Sequence, residues 1–227
     1  MPRYVNIMKS GRDLVIIGTG GLAKEMGQLA RQIDPSAKRW RRICYCANDA
    51  SRKGLRMPYG TVSYIDEEII VDSDPFDVVL GVGFPWLREK LGLLLAKNSC
   101  LHFPNLIHPS VMLDKDMVRL GEGNVITQGC VLTCDISIAD FNLLNWNSTI
   151  GHDARIGSFN VINPAVSISG HVQIGNACLI GTGARIIEKL ELASNTVIGA
   201  GAVVTHSILN AGVYVGVPAK LKSNVCQ

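Results

Sequence analysis

From Leu120 onward every sixth residue is aliphatic: Leu120, Ile126, Leu132, Ile138, Leu144, Ile150, Ile156, Ile162, Ile168, Ile174, Ile180, Ile186, Leu192, Ile198 and Val204. The position that follows is mostly small or polar, as in Gly121, Thr127, Gly151, Gly157, Gly175 and Gly199. A period of six fits neither a 3.6-residue helix nor a two-residue strand. It predicts a hexapeptide coil in which each hexad forms one flat side of a prism. The aliphatic residue points inward, and the small residue relieves crowding at the corner. Three hexads close one triangular coil, so the fifteen aliphatic positions predict five coils. Successive coils rest on each other at the strand spacing of about 4.8 Å. A flat antiparallel sheet would need strict alternation and hairpin signals, and the segment has neither. Solenoid ends need caps, and the tail Gly212-Val-Tyr-Val-Gly-Val-Pro-Ala-Lys220, which breaks the hexad, is a candidate for one.

The first half has a different rhythm. Asp13-Leu-Val-Ile-Ile-Gly18 is a short apolar run, followed by Thr19, Gly20 and Gly21. In the segment Leu22 to Ile33, Leu22, Met26, Leu29, Ala30 and Ile33 share one helical face. Strand, glycine turn and helix together aim free backbone N–H groups at a phosphate or another polar ligand. The turn reads Gly18-x-Gly20-Gly21 with Lys24 where a last small residue would sit, so a plain tight turn is the competing reading. A second strand is predicted over Arg42 to Cys46, ending at Ala47-Asn48-Asp49. A third is predicted over Phe76 to Gly83, with a helix from Pro85 to Lys97. Alternating strands and helices predict a parallel sheet, and the segment is too short for both halves of a dinucleotide fold. Asp49 is better placed than Asp34 for a ribose contact. A nucleotide-linked sugar suits this pocket better than NAD.

Composition narrows the function classes. The chain has 227 residues, 18% of them charged, and a net charge of +3. The densest basic stretch is Lys38-Arg39-Trp40-Arg41-Arg42, so neither nucleic acid nor a membrane surface is an expected partner. Apolar runs such as Leu14 to Ile17 fall far short of the roughly 20 residues that span a bilayer. The first residues, Met-Pro-Arg-Tyr-Val-Asn, carry no leader pattern. Seven cysteines, Cys44, Cys46, Cys100, Cys130, Cys134, Cys178 and Cys226, match no zinc or disulfide framework and read as reduced thiols of a cytoplasmic protein.

The order of motifs is glycine turn, Asn48-Asp49, Gly81-Val-Gly83, Phe103-Pro-Asn-Leu-Ile-His-Pro-Ser110, hexads, and Gly216-Val-Pro-Ala-Lys220. It resembles the hexapeptide-repeat acyltransferases, in particular the sialic-acid O-acetyltransferase and nucleotide-amino-sugar N-acetyltransferase family. The resemblance covers nearly the whole chain. It implies an α/β Rossmann-like domain over 1–108 that binds a nucleotide-linked amino sugar, through Gly18, Thr19, Gly20, Gly21, Asn48, Asp49 and Gly83. It implies a left-handed parallel β-helix over 109–227, acetyl-CoA as co-substrate, no metal, and a homotrimer with active sites between subunits.

Acetyl transfer needs a base, a donor for the oxyanion and a slot for the coenzyme arm. His152 lies just past a hexad corner and off the inward register, and Asp153 follows it. In the family this pair is base and orienter. Eighteen residues beyond His152 is Gly170, which matches the family's oxyanion donor. A second column runs Trp146, Pro164, Thr182, Ala200 and Pro218. Thr182 and Ala200 match coenzyme-contacting positions. Lys220 is either a partner for a coenzyme phosphate or an ordinary exposed lysine. Asn145 matches a sugar-contacting asparagine, or is a corner residue in the left-handed region. Nine residues after the base, where many relatives carry a second histidine on the coenzyme side, stands Val161. Of the other histidines, His108 reads as structural. The spacings to His171 and His206 do not resemble the zinc prism of one carbonic anhydrase class. Cys134, one coil below His152, reads as packing.

The resulting expectation is an acetyl-CoA-dependent N-acetyltransferase acting on the amine of a nucleotide-linked amino-deoxy sugar for surface glycan, by direct attack on the thioester. An O-acetyltransferase acting on a sugar hydroxyl and a non-catalytic nucleotide-sugar scaffold are the alternatives.

Overall fold

The computed structural model describes residues 11–224. The first residues, where no leader pattern was expected, and Cys226 lie outside them. The chain forms two compact units, one running up to Val82 together with Gly92–Pro104, the other Gly83–Leu91 together with the chain from Asn105 onward.

In the first unit β1 (Asp13–Ile17), β2 (Ile43–Ala47), β3 (Arg56–Met57), β4 (Gly60–Ile65), β5 (Phe76–Leu80) and β6 (Leu101–His102) form one sheet in the order β3-β4-β2-β1-β5-β6. Only β3 pairs antiparallel. Counted along the chain, the five parallel strands have the order 3-2-1-4-5, which reverses between β1 and β5. The central strands β1 and β5 are buried throughout, which their unbroken apolar runs require. The polar exceptions are satisfied. Burial alone would raise the Asp13 carboxyl, but the Arg41 and Arg42 guanidiniums, each 2.7 Å away, hold it below its usual range. Asp77 accepts from Trp40 Nε1 at 2.9 Å.

Helix α1 (Gly21–Ile33) buries Ala23, Met26, Gly27, Leu29 and Ala30. At Gly27 an added Cβ would lie 2.0 Å from Tyr45 Oη, so helix and sheet meet there without room for a side chain. Several elements differ from the sequence reading. The third predicted strand stops at Leu80, leaving Gly81-Val-Gly83 in a loop. The following helix, α3 (Pro85–Leu95), ends two residues early, in i→i−3 bonds. The hairpin β3–β4 and the short helix α2 (Asp66–Val71) were not predicted. The hairpin turn places Tyr59 at φ 65, a position where glycine is the usual signal.

The second unit is the expected prism. Three parallel sheets form its faces, running through Val131–Leu132, Val118–Leu120 and Val125–Ile126 respectively. Partners in adjacent coils are 18 residues apart, as in Ile150↔Ile168 and Leu143↔Val161. Every inward aliphatic from Ile126 to Val204 is at most 4% exposed. Two residues before each lies a second inward position, which the six-residue pattern did not reveal. It holds Cys130, Ala154, Val166, Val172, Cys178, Ala184 and Ala202, and also the buried Asn124, Asn142 and Asn160. One residue earlier still, each corner turns through the left-handed region, from Gly123 at φ 67 through Asp135, Phe141, Asn147 and Asp153 to Gly201 at φ 66.

The three asparagines form a ladder. Asn142 N–H donates to Asn124 Oδ1 at 2.9 Å, Asn160 N–H to Asn142 Oδ1 at 2.8 Å, and Cys178 N–H to Asn160 Oδ1 at 2.8 Å. Asn142→Ala strips a fully buried N–H of its acceptor, so about 1–3 kcal/mol of stability should be lost. A urea midpoint equal to wild type would contradict that role.

The end of the prism departs from the coil arithmetic. Leu192 bridges Ile208, and Val197 pairs with Val213, so the last coil is two residues short. The tail strand Val213–Val215 adds to the third face, and Lys220–Ser223 folds back on it antiparallel.

Candidate active site

His152 follows inward Ile150 by two residues and directly precedes a left-handed corner, Asp153 at φ 59. Backbone bonds fix this corner between its neighbours: Asp153 N–H donates to Cys134 O below at 3.1 Å, and His171 N–H to His152 O above at 2.8 Å. Both side chains are about half exposed, and His152 Nδ1 lies 2.8 Å from Asp153 Oδ2. The Asp153 carboxyl is lowered from its usual range, first by this bond and further by the nearby charges of His171, His152 and Arg155. An ionised carboxylate can only accept. The carboxylate therefore accepts from Nδ1–H, which in the neutral ring leaves Nε2 as the acceptor.

Gly170 lies where the coil arithmetic put it. A Cβ added there would stand 2.6 Å from His152 Nε2 and 2.7 Å from its Cε1. Only glycine lets the backbone come this close, and the Gly170 N–H makes no hydrogen bond among the described residues. An oriented imidazole and an open backbone donor thus stand side by side.

One neighbour was missed. His171 Nε2 is 3.6 Å from Asp153 Oδ2, and its ring meets that of His152 edge to face at 5.1 Å. Its spacing of 19 from His152 looked uninformative, but it is 18 from Asp153. Applying the coil length to Asp153 as well as to His152 would have found it.

The second column stacks as far as Ala200. Ala165 N–H donates to Trp146 O, Gly183 N–H to Pro164 O and Gly201 N–H to Thr182 O. Thr182 and Ala200 are exposed. Pro218 does not continue the column, because the last coil is short; Gly216 O instead accepts from Val203 N–H. Lys220 is exposed on the returning tail strand. Val161 is 1% exposed and its N–H donates to Cys178 O, so neither its side chain nor its N–H is open to a coenzyme. Asn145 is 7% exposed, with its Nδ2 3.4 Å from Asn163 Oδ1. The left-handed corner next to it is Asn147, not Asn145. Cys134 is a free thiol, as are all described cysteines. His108 Nδ1 accepts from Ser110 N–H at 3.0 Å, in a turn. His206 is exposed, with Nδ1 3.0 Å from Thr205 Oγ1.

In the first unit the glycine turn sits at the carboxyl ends of the parallel strands. Gly18 has φ 112, and an added Cβ would lie 3.1 Å from Gly81 O, so the loops after β1 and β5 touch where the strand order reverses. Gly81 itself packs on Ala23 of α1. Gly20 caps α1 without a side chain, and beside Gly20 and Gly21 a Cβ would meet nothing within 4 Å, which leaves the first N–H groups of the helix open. Arg52, which the sequence reading passed over, reaches Thr19 Oγ1 at 2.7 Å. Asp49 is exposed, but its carboxylate is engaged by Ser51 N–H and Oγ, both at 2.8 Å, so it caps a short turn. Asn48 is exposed beside it, and Gly83 lies in the loop before α3.

Residues 171–206 match the family model of the bacterial transferase hexapeptide (six repeats). No curated protein sequence matches the chain. Among solved structures, PerB from Caulobacter crescentus, in complex with CoA and GDP-perosamine, is similar with a TM-score of 0.80 and 29% identity, over 93% of this chain and 97% of that one. The acetyltransferase domain of PglB from Neisseria gonorrhoeae FA1090, in complex with acetyl coenzyme A, has a TM-score of 0.83 and 26% identity, over 93% and 99%. WeeI from Acinetobacter baumannii AYE has a TM-score of 0.80 and 28% identity, over 92% and 99%. Residues 171–206 thus carry the bacterial transferase hexapeptide repeat, and nearly the whole chain is similar in structure to acetyltransferases solved with CoA or acetyl coenzyme A.

Proposed function

We propose that the chain is an acetyl-CoA-dependent N-acetyltransferase whose acceptor is the amine of a nucleotide-linked amino-deoxy sugar. One observation carries the reading: a carboxylate-oriented imidazole whose free Nε2 lies against a glycine with an open N–H. The similarity to PerB, bound to CoA and GDP-perosamine, supports the acceptor class. Two further similar structures are histidine-substituted variants of that enzyme with the same ligands.

Acetyl-CoA supplies a thioester carbonyl as the electrophile. His152 Nε2 takes the proton of the attacking amine, while Asp153 holds Nδ1–H and stabilises the imidazolium that forms. Gly170 N–H donates to the oxyanion, whose collapse breaks the C–S bond, and the CoA thiolate leaves with the proton held by the imidazolium. Thr182 and Ala200 leave room for the coenzyme arm, and Lys220 meets its phosphate. Asn145 contacts the sugar. Residues 1–108, as a Rossmann-like domain, hold the nucleotide through Gly18, Thr19, Gly20, Gly21, Asn48 and Gly83. Arg52 joins that set as a phosphate partner, and Asp49 braces the turn that carries it. Residues 109–227, as a left-handed β-helix, carry the chemistry. The enzyme works as a homotrimer in the cytoplasm. Among the described residues, no helix is long and apolar enough to cross a membrane.

The test is release of CoA thiol from acetyl-CoA against a panel of nucleotide-linked 4-amino sugars, with free sialic acid alongside. Rapid release with one amino sugar is the expected result, and it names the nucleotide. Release with the hydroxyl acceptor alone would replace N-acetylation by O-acetylation. Silence across the panel would sink the acceptor class.

A further inference from the structure

The geometry points to a divalent transition-metal site at His152, Asp153 and His171, in which bound Zn2+ switches the base off. The inference deepens the proposed function, since the base it silences is the one assigned there.

One donor atom from each of the three residues lies within 4.8 Å of the other two. Asp153 Oδ2 is central, 2.8 Å from His152 Nδ1 and 3.6 Å from His171 Nε2. Donors around a tetrahedral zinc with bonds of about 2.0–2.1 Å stand roughly 3.3 Å apart. The two distances to Asp153 bracket that value, and side-chain rotation must bring the two imidazole donors, which lie within 4.8 Å of each other, to the same separation. The donors are also preorganised. Asp153 and His171 occupy the same corner of successive coils, at φ 59 and 58, and the bond from His171 N–H to His152 O locks the register. All three side chains are between 42% and 56% exposed, so an ion can enter and keep a water as fourth ligand. Two imidazoles and one carboxylate suit Zn2+, Co2+, Ni2+ or Cu2+ over Mg2+ or Ca2+, which prefer all-oxygen sites.

The inhibition follows from the tautomer. A metal on His152 takes the Nδ1 lone pair, so the proton on Nδ1 moves through solvent to Nε2. The ring stays neutral, but Nε2 becomes a donor and can no longer accept the proton of the amine. The mechanism proposed above gives His171 no proton to carry, so its substitution reads metal binding apart from the base.

The experiment uses the whole chain, freed of metal with EDTA and then titrated with Co2+, whose visible absorption reports the ligand field. Zn2+ is added in competition, and acetyl transfer is followed in parallel. Wild type is expected to give a tetrahedral Co2+ spectrum that Zn2+ erases. Turnover should fall more than about tenfold with Zn2+, recover with EDTA, and ignore Mg2+. His171→Asn should keep the EDTA rate and the thermal midpoint. Its Co2+ affinity should fall by at least the roughly 10–100-fold that losing an outer-shell partner costs. No Co2+ spectrum in wild type, or equal affinity in H171N, would overturn the site. Co2+ and Zn2+ binding that leaves turnover unchanged would overturn the switch. A chain that binds Co2+ through His171 yet acetylates no acceptor would support the site while removing the acetyltransferase reading, so the two failures are distinct.

Discussion

His152→Ala will lower kcat/KM for acetyl transfer by roughly 10²–10⁴-fold, the usual worth of a positioned general base. The loss should fall on kcat, with binding of acetyl-CoA unchanged, because Thr182 and Ala200, the residues proposed to line the coenzyme arm, lie in a separate column. The fold should tolerate the change. The His152 side chain is 56% exposed and adds nothing to the inward positions of the prism. Single-turnover rates with a saturating acceptor, beside a calorimetric titration of CoA, make the measurement. A variant that acetylates at the wild-type rate would remove His152 from the mechanism. The substitutions of a histidine in the similar PerB give the comparison its natural reference.

Gly170→Ala is expected to cost nearly as much without touching the base itself. Its new Cβ would begin 2.6 Å from His152 Nε2, closer than any real contact of that kind. The backbone at Gly170 is not left-handed, so alanine fits the chain and stability should be nearly unchanged. The imidazole must therefore yield. It swings away from the space above Gly170 and breaks the 2.8 Å bond to Asp153 that fixes its tautomer. Activity should drop on the order of 10²-fold, at the low end of what a base is worth. The double variant with His152→Ala should be hardly slower than His152→Ala alone, because both changes remove the same interaction. Additive losses would show instead that the added methyl acts on the space the substrates occupy and not through the imidazole. An unaltered rate in the single variant would mean that the contact has no catalytic meaning.

Much of this was legible because a coil of fixed length turns sequence spacing into distance. One aliphatic column defined the prism, and adding 18 to 152 placed Gly170 on the imidazole. The same sum on Asp153 gives His171. Projecting the base alone along the coil hides it, because His152 and Asp153 each face a different residue of the next coil. The left-handed corners were illegible for a physical reason. Gly123, Asn147 and Gly201 advertise them, but Phe141, Phe159 and Lys189 adopt the same conformation. Hydrogen bonds from the coils above and below over-determine the turn, and residue preference is overridden. The short last coil could not be read at all, since the aliphatic series runs on through Val204 before Ile208 takes the inward place four residues later. In the first unit, Asp49 looked like a ligand residue by its spacing. Its carboxylate instead serves Ser51, a local bond that no periodicity foretells.

The shortened coil and its returning strand bear on a hazard common to repeat folds. Each face of the prism ends in unpaired backbone of the same polarity and spacing as the strand beneath it, a surface on which another molecule could continue the stack. By pulling the chain in early and laying Lys220–Ser223 antiparallel across one face, the tail presents reversed backbone direction and two lysines instead of the repeating template. What looks like a lapse in the hexad pattern thus makes a self-templating column into a finite molecule, guarded at that end against growing into a fibre.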